Sequence, residues 1–399
     1  MKYIVVLGDG MADYPIDELN EQTPLEYANT PMMDELAQKS EIGQVHTIPA
    51  GMSPGSDTAN LSVLGYDPKK YYTGRSPLEA LSIGVPMKDT DIAIRCNIVT
   101  VSDEETEYKD KKMIDHSAGE ISTEDADVLI RAVQEAFGNE MFQFYTGTSY
   151  RHLLIWDKGN VVELTPPHDI LTKTIGNYLP KEKMLAEMME KSYEILNNHP
   201  INVAREKAGL HKANSLWFWG AGTKPALDDF TEKTGKRGVM ISAVDLLKGI
   251  GVGAGLHNII VEGADGTLET NYEGKAQAAV DALTKDGYDF AYIHVEAPDE
   301  MGHQGSVERK IKSIEYLDQR VIRVVKEGMD ASGEDYRMLV LPDHPTPIVL
   351  RTHSSDPVPY MLFDSTNHGS RMWHYNEREA AASGIDMPSG AALMEYFLD

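Results

Sequence analysis

Three apolar runs in this chain each lead into an acidic residue, and that repeated ending constrains the fold more than any other feature. Tyr3–Leu7 runs through Gly8 into Asp9. Phe290–Val295 runs into Glu296-Ala297-Pro298-Asp299, and Arg337–Leu341 runs through Pro342 into Asp343-His344. Short, continuously apolar runs read as strands buried on both faces, as in a parallel sheet covered by helices. Val239–Ile241 and Asn258–Val261 read the same way. Helical patterns at Met32–Lys39, Val244–Lys248, Lys275–Leu283 and Val307–Lys326 lie between these runs. The alternation predicts an α/β fold with a largely parallel sheet flanked by helices. Ligands of open sheets bind beyond the carboxyl ends of the strands, so the three acids are expected at one edge.

The middle of the chain reads differently. Ile92–Val101 and His152–Val162 interleave polar residues, as strands of a half-exposed sheet do, and Lys181–Asn197 is a long helix between Pro180 and Pro200. The pattern predicts a core split in sequence, 1–74 and 206–399, with 75–205 forming an inserted α+β cap. The length of 399 residues supports more than one domain.

Histidines accompany the acids. His303 follows Asp299 by four positions, which places both on one face of a helical turn. Asp343 and His344 are adjacent and point differently, and His353 arrives after a short loop. Carboxylate and imidazole without thiolate suit Mn²⁺, Zn²⁺ or similar ions rather than a structural cysteine site. Each residue alone has a plainer reading: a turn for Asp9, a helix cap for Asp299, a satisfied histidine for the rest. Falling together at strand ends, they point to a metal centre. Ser56 lies in Pro54-Gly55-Ser56-Asp57-Thr58, a loop followed by a helical stretch. A serine there is ordinarily an N-cap. The functional reading is a nucleophile at a helix N-terminus, where amide groups favour an anion.

Charge narrows the partners. The formal net charge of −26 disfavours nucleic acid and anionic membrane. A phosphorylated substrate would need local reversal of that potential, which divalent metal provides. The single cysteine, Cys96, permits no internal disulfide and fits a reducing compartment. The most apolar segment, Gly238–Val261, is interrupted by Asp245 and Lys248, so no membrane span is expected. The expected location is the cytoplasm.

Longer motifs carry a family resemblance over nearly the whole chain. These are Val6-Leu7-Gly8-Asp9-Gly10, Pro54 to Ser62, Leu64-Gly65-Tyr66-Asp67-Pro68, Tyr72-Thr73-Gly74-Arg75, Ile241 to Leu246, Ala297 to His303, Asp343-His344 and His353 to Pro359. In these the sequence resembles the archaeal type of cofactor-independent phosphoglycerate mutase, in the alkaline phosphatase superfamily. The resemblance implies an alkaline-phosphatase-like core and two divalent ions, Mn²⁺, Zn²⁺ or Mg²⁺. It also implies a small phosphorylated metabolite as substrate and no 2,3-bisphosphoglycerate. It implies Asp9, Ser56, Asp343 and His344 at one metal, Asp299, His303 and His353 at the other, and a transient phosphoserine at Ser56 during exchange of 3- and 2-phosphoglycerate.

The cap of such an enzyme should supply cations to the substrate. Arg75, Arg95, Arg151 and Lys224 fit, since guanidinium binds carboxylate and phosphate in bidentate fashion. His116 is a further substrate-binding candidate, and it and His152 are possible proton carriers. One departure stands out: Pro345 follows Asp343-His344, where the archaeal mutases usually carry serine. A bacterial branch proposed to act as homoserine kinases looks similar at this point, so ATP-dependent phosphorylation of homoserine is the alternative. A metal-dependent phosphatase and a non-catalytic metal-binding protein follow. No GxxxxGK[ST] loop occurs, and the glycine run Gly249–Gly255 follows a helix rather than a strand.

Overall fold

Two strands open the chain, β1 (Lys2–Gly8) and β2 (Ser40–Val45). Five follow in its middle: β3 (Asp91–Val101), β4 (Met113–Asp115), β5 (Phe142–Thr148), β6 (Arg151–Asp157) and β7 (Ser215–Thr223). Six more complete it: β8 (Gly238–Ile241), β9 (His257–Asn258), β10 (Phe290–Val295), β11 (Tyr336–Leu341), β12 (Val358–Asp364) and β13 (Asp386–Met387). The structure is a computed structural model describing residues 1–367, 369 and 374–399. The chain divides into two units, Met1–Tyr72 with Ala226–Asp399, and Thr73–Pro225.

The first unit is built on a mixed, mostly parallel sheet of order β13-β2-β12-β11-β1-β10-β8-β9. Its centre, β11-β1-β10-β8, is parallel throughout, and β12 is antiparallel to both its neighbours. The apolar runs read from sequence are the buried central strands, with β10 buried at every position. Ile4, Val6, Ile293 and Val340 pack with Leu283, Ile314, Leu317 and Val325 of the covering helices. The strand expected at Asn258–Val261 shrinks to the two-residue β9 at the sheet edge. The helix expected over Val307–Lys326 is continuous, but a π-helical segment, Leu317–Ile322, interrupts its α-helical pattern.

The second unit holds an antiparallel sheet in which β3 lies between β6 and β7, β5 flanks β6, and β4 pairs the end of β3. Its outer limit is Pro225 rather than the 205 read from sequence, because β7 pairs with β3 from Val99↔Ser215 to Ile92↔Thr223. The half-exposed sheet expected here is also different: every residue of β3 is buried. Ile92, Ile94, Cys96 and Ile98 pack on one face with Leu129, Val133, Leu185 and Met189 of two helices. Ala93, with Leu153 and Ile155 of β6, packs on the other face against Ala80 of the Arg75–Ser82 helix. The strand expected at His152–Val162 ends at Asp157, where Lys158 turns at φ 54°.

A buried ion pair fastens the loops after β1 and β11. Lys310 is fully buried and donates to Asp13 at 2.9 Å, to the Thr346 carbonyl at 2.9 Å and to the Ala12 carbonyl at 3.2 Å. Asp13 also accepts from the Ile348 amide, while its own amide donates to Glu377 at 3.0 Å. Removing one partner of such a pair leaves an uncompensated charge. Lys310→Met should therefore lower unfolding free energy by about 3–5 kcal/mol, read from urea denaturation.

Burial pushes the Glu377 carboxyl up from 4.5 to about 7, although Thr23, the Asp13 amide and Lys310 favour its charge. A folded-state pKa above the unfolded value contributes stability below the unfolded pKa that is lost as pH rises through the folded one. Wild type should therefore lose stability relative to Glu377→Gln between pH 4.5 and about 7. Parallel thermal melts of the two proteins across that range measure this difference.

Candidate active site

β11, β1 and β10 are neighbours and parallel, so their carboxyl ends lie side by side. Asp9 follows β1 directly and Asp343 follows β11 after Pro342. Asp299 sits in the Ala297–His303 helix that begins just after β10. Gly10 lets the first loop close on the third: its φ is 63°, and a Cβ there would lie 2.8 Å from the Asp299 Cα. Only glycine takes both that backbone conformation and that approach without strain. The three carboxylates are almost wholly excluded from solvent.

Ser56 is the first residue of the Ser56–Val63 helix, with Gly55 as its N-cap. Its Oγ lies 3.1 Å from His344 Nε2 and 3.4 Å from Asp9 Oδ2. His344 Nε2 in turn lies 3.4 Å from Asp9 Oδ1 and 3.3 Å from Asp343 Oδ2. Asp343 is held from several sides: the Gly10 and His344 amides donate to Oδ1, and Asn60 Nδ2 donates to Oδ2 at 2.9 Å. Beside this group, Asp299 Oδ2 lies 3.1 Å from His303 Nε2 and Oδ1 lies 3.2 Å from His353 Nε2. The His303 and His353 Nε2 atoms are 3.1 Å apart, and the His344 and His353 ring centres are 4.0 Å apart with the rings tilted by 35°. The seven residues singled out in the sequence thus meet in one place in the first unit.

The donor set fits divalent cations. Among the described residues, two groups have ligand atoms close enough to share an ion: Asp299, His344 and His353, and Asp9, His294 and Asp343. His344 lies within reach of both groups. Asp9 Oδ1 is buried without a hydrogen-bond partner among the described residues. An orphaned carboxylate oxygen in a dry pocket costs more than a kilocalorie per mole, and coordination to an ion relieves it. Two imidazoles are pre-set to coordinate. His303 Nδ1 donates to the Arg351 carbonyl at 2.9 Å and His344 Nδ1 to the Pro345 carbonyl at 3.1 Å, which turns a lone pair of each Nε2 inward.

Electrostatics agrees. Burial, then Asp343, Asp299 and Glu296, pushes the Asp9 carboxyl well above its usual range. Burial likewise opposes the charge of Asp299, but His303 and His353 hold it well below that range, and Asp299 raises His303 to about 9. Burial lowers His344. Several carboxylates that burial resists charging can all ionise together only beside concentrated positive charge.

His294 was missed in the sequence. Its Nε2 lies 2.7 Å from Asp9 Oδ2, and burial lowers its pKa to about 3. The available signal was a histidine inside an otherwise apolar strand run, two residues from Tyr292, whose hydroxyl donates to Asn60 Oδ1.

The substrate-binding candidates all belong to the second unit. Arg95, on β3, is buried and donates to Glu79 at 2.8 Å, while Arg75 Nε reaches the same carboxylate oxygen at 3.1 Å. The Arg95 guanidinium lies 4.8 Å from the Trp219 ring centre. Burial lowers its pKa to about 10; Glu79 opposes that shift, and Arg75 and Arg151 reinforce it. Arg151 lies over Tyr150 at 5.1 Å, and the His116 ring lies 5.8 Å from Tyr150 and 6.2 Å from His168. These arginines and histidines lie in one region of the second unit, around Tyr150 and Trp219. Lys224 pairs instead with Asp89 at 3.5 Å. His152 is buried, accepts from the Gly147 amide through Nδ1, and is lowered by burial to about 4, which does not suit a proton carrier near neutral pH. Trp219 and His168 are additions that the sequence did not suggest.

Comparisons with known proteins show the family. Residues 37–202 match the family model described as 2,3-bisphosphoglycerate-independent phosphoglycerate mutase. The chain is 48% identical to a probable enzyme of that name from Geobacter sulfurreducens, covering 100% of both chains. It is 47% identical to one from Methanosarcina barkeri, covering 96% of each. A solved cofactor-independent phosphoglycerate mutase from Thermoplasma acidophilum superposes with a TM-score of 0.67 at 25% identity, covering 100% of this chain and 99% of that one.

Chelation gives a direct test of the cation fit. Ligand that binds only the folded state at a hundred times its Kd adds about 2.7 kcal/mol of stability. EDTA should lower the thermal midpoint of purified protein, and Mn²⁺ or Zn²⁺ should restore it. Asp9→Asn and Asp299→Asn should each remove part of that rescue.

Proposed function

We propose a phosphoserine route for this chain, which belongs to the family of 2,3-bisphosphoglycerate-independent phosphoglycerate mutases. The chain interconverts 3-phosphoglycerate and 2-phosphoglycerate. The observation that carries the route is the place of Ser56 Oγ, at a helix N-terminus and 3.1 Å from His344 Nε2. Amide groups at such a terminus favour an incoming anion.

Ser56 is the nucleophile. Its Oγ forms a bond to phosphorus as the bond to the substrate oxygen breaks, leaving glycerate and phosphoserine. The other hydroxyl of glycerate then takes the group back, and Ser56 is regenerated. Asp9, Ser56, Asp343 and His344 would hold one divalent ion and Asp299, His303 and His353 the other, with Mn²⁺, Zn²⁺ and Mg²⁺ all suited to such donors. When bound, these ions supply electrostatic stabilisation to the attacking and leaving oxygens and favour ionisation of the serine. Asn60 and the Gly10 amide keep Asp343 oriented, and Thr346 does the same for Asp299. Arg75, Arg95 and Arg151 supply the positive charge that phosphate and carboxylate require, and His116 a further polar group beside them. The ring face of Trp219 and the carboxylate of Glu79 hold Arg95 in place.

Incubation with ³²P-labelled phosphoglycerate should label wild type at Ser56 and leave Ser56→Ala unlabelled and inactive. Turnover by Ser56→Ala would sink the route. Activity with homoserine and ATP but none with phosphoglycerate would sink the substrate assignment. Arg95→Ala should raise KM roughly tenfold to a hundredfold, matching about 1.5–3 kcal/mol for a hydrogen bond to a charged group.

A further inference from the structure

His294 presents a choice that its distances alone leave open. Its Nε2 is 2.7 Å from Asp9 Oδ2, and His294 groups with Asp9 and Asp343 as a possible third donor to an ion. The same contact suits a hydrogen bond. What decides between them is the proton, and the atom at Nδ1 fixes the proton.

For His303 and His344, Nδ1 faces a backbone carbonyl. A carbonyl only accepts, so Nδ1 carries the hydrogen and Nε2 keeps its lone pair. His294 is the opposite case. Its Nδ1 faces the Ser242 hydroxyl at 3.0 Å, and that oxygen already accepts from the Val244 amide at 3.0 Å. The hydroxyl proton then has Nδ1 as its acceptor. Nδ1 is left bare, and Nε2 carries the hydrogen toward a carboxylate.

We infer that His294 is a positioning residue rather than a metal ligand: Ser242 fixes its tautomer, and its Nε2–H holds Asp9 Oδ2 so that Oδ1 faces the ion. The orphaned state of Asp9 Oδ1 is the independent sign of that division of labour, since one oxygen of the carboxylate is engaged and the other is not. Rigid placement supports it. His294 lies at the carboxyl end of β10, its ring is fully buried, and its own carbonyl accepts from the buried Lys275 at 3.0 Å. The inference rests on the reading of Asp9 as a ligand given above.

The test uses full-length protein, stripped with EDTA and titrated with Mn²⁺, in wild type, His294→Ala, His294→Gln and Asp9→Asn. Loss of a residue that orients a metal ligand typically costs about 10–100-fold in metal affinity. His294→Ala should show a loss of that size at one site. His294→Gln, whose side-chain amide can donate to Asp9, should recover most of it. Equal losses in both variants would overturn the inference, because glutamine cannot replace an imidazole ligand. A spectroscopic readout covers the case in which His294→Ala fails to fold. In Zn²⁺-loaded protein labelled with ¹⁵N-histidine, the ring signals absent from His294→Gln belong to His294. They should show Nε2 protonated and Nδ1 bare; an unprotonated, zinc-shifted Nε2 would overturn the assignment. Asp9→Asn separates the two levels. If it binds both ions as wild type does, the metal reading fails. If it loses one while glutamine and alanine at 294 behave alike, only the positioning role fails.

Discussion

Three carboxylates on neighbouring strands share one dry pocket, and most of the first unit is arranged around the electrostatic difficulty this creates. Asp9, Asp299 and Asp343 follow β1, β10 and β11, whose parallel register allows their ends no other place. Burial first, and then the neighbouring carboxylates, push the Asp9 carboxyl well above its usual range. The fold answers with aimed donors. Asp343 takes two amides and Asn60, and Asp299 takes Thr346. Lys310 ties the loops after β1 and β11 together from below. Each donor restrains an oxygen without cancelling the charge. Cancellation would come from divalent cations, which the donor set fits.

Much of the first unit was legible because its signals are local. A buried parallel strand is an unbroken apolar run, and an acid after it marks the sheet edge where ligands bind. Asp9, Asp299 and Asp343 needed nothing more, and the i, i+4 spacing gave His303. Ser56 was ambiguous on residue chemistry alone, because a serine at a helix start serves equally as a cap. The structure gives the cap position to Gly55 and turns Ser56 toward His344. Tertiary packing decided the rest. β3 looks half-exposed because Asp91, Arg95 and Asn97 interleave its apolar residues, yet strands on both sides and helices on both faces bury it. Arg95 is buried in a strand because Glu79 and Trp219 meet it there, and neither is near in sequence. His294 was hidden for the same reason: its meaning lies in Ser242 and Asp9, 52 and 285 residues away.

The net charge of −26 becomes intelligible at this level. A chain that repels phosphate on average needs its positive charge where anions must be held. Arg75 and Arg95 share Glu79 in the second unit and Arg151 is near enough to act on Arg95, which leaves that region cationic. Imidazoles and donor amides line the carboxylate pocket of the first. Acidity elsewhere then serves solubility and does not oppose substrate binding, because surface charges beyond a Debye length are screened.

Pro345 shows how little of a motif's spelling the chemistry uses. Proline removes an amide hydrogen and fixes φ but keeps its carbonyl. Here the carbonyl does the work: it accepts from His344 Nδ1 and from the Ser354 amide. The first contact sets the tautomer of His344, and the second holds the segment leading from His353. Residue 345 also bridges Met11 and Ala12 beside the loop that carries Asp9. A serine there would offer the same carbonyl, so the exchange leaves the ligand geometry intact. The departure from the usual spelling is therefore no ground for assigning a different acceptor. The carbonyl that orients His344 is present whether residue 345 is proline or serine.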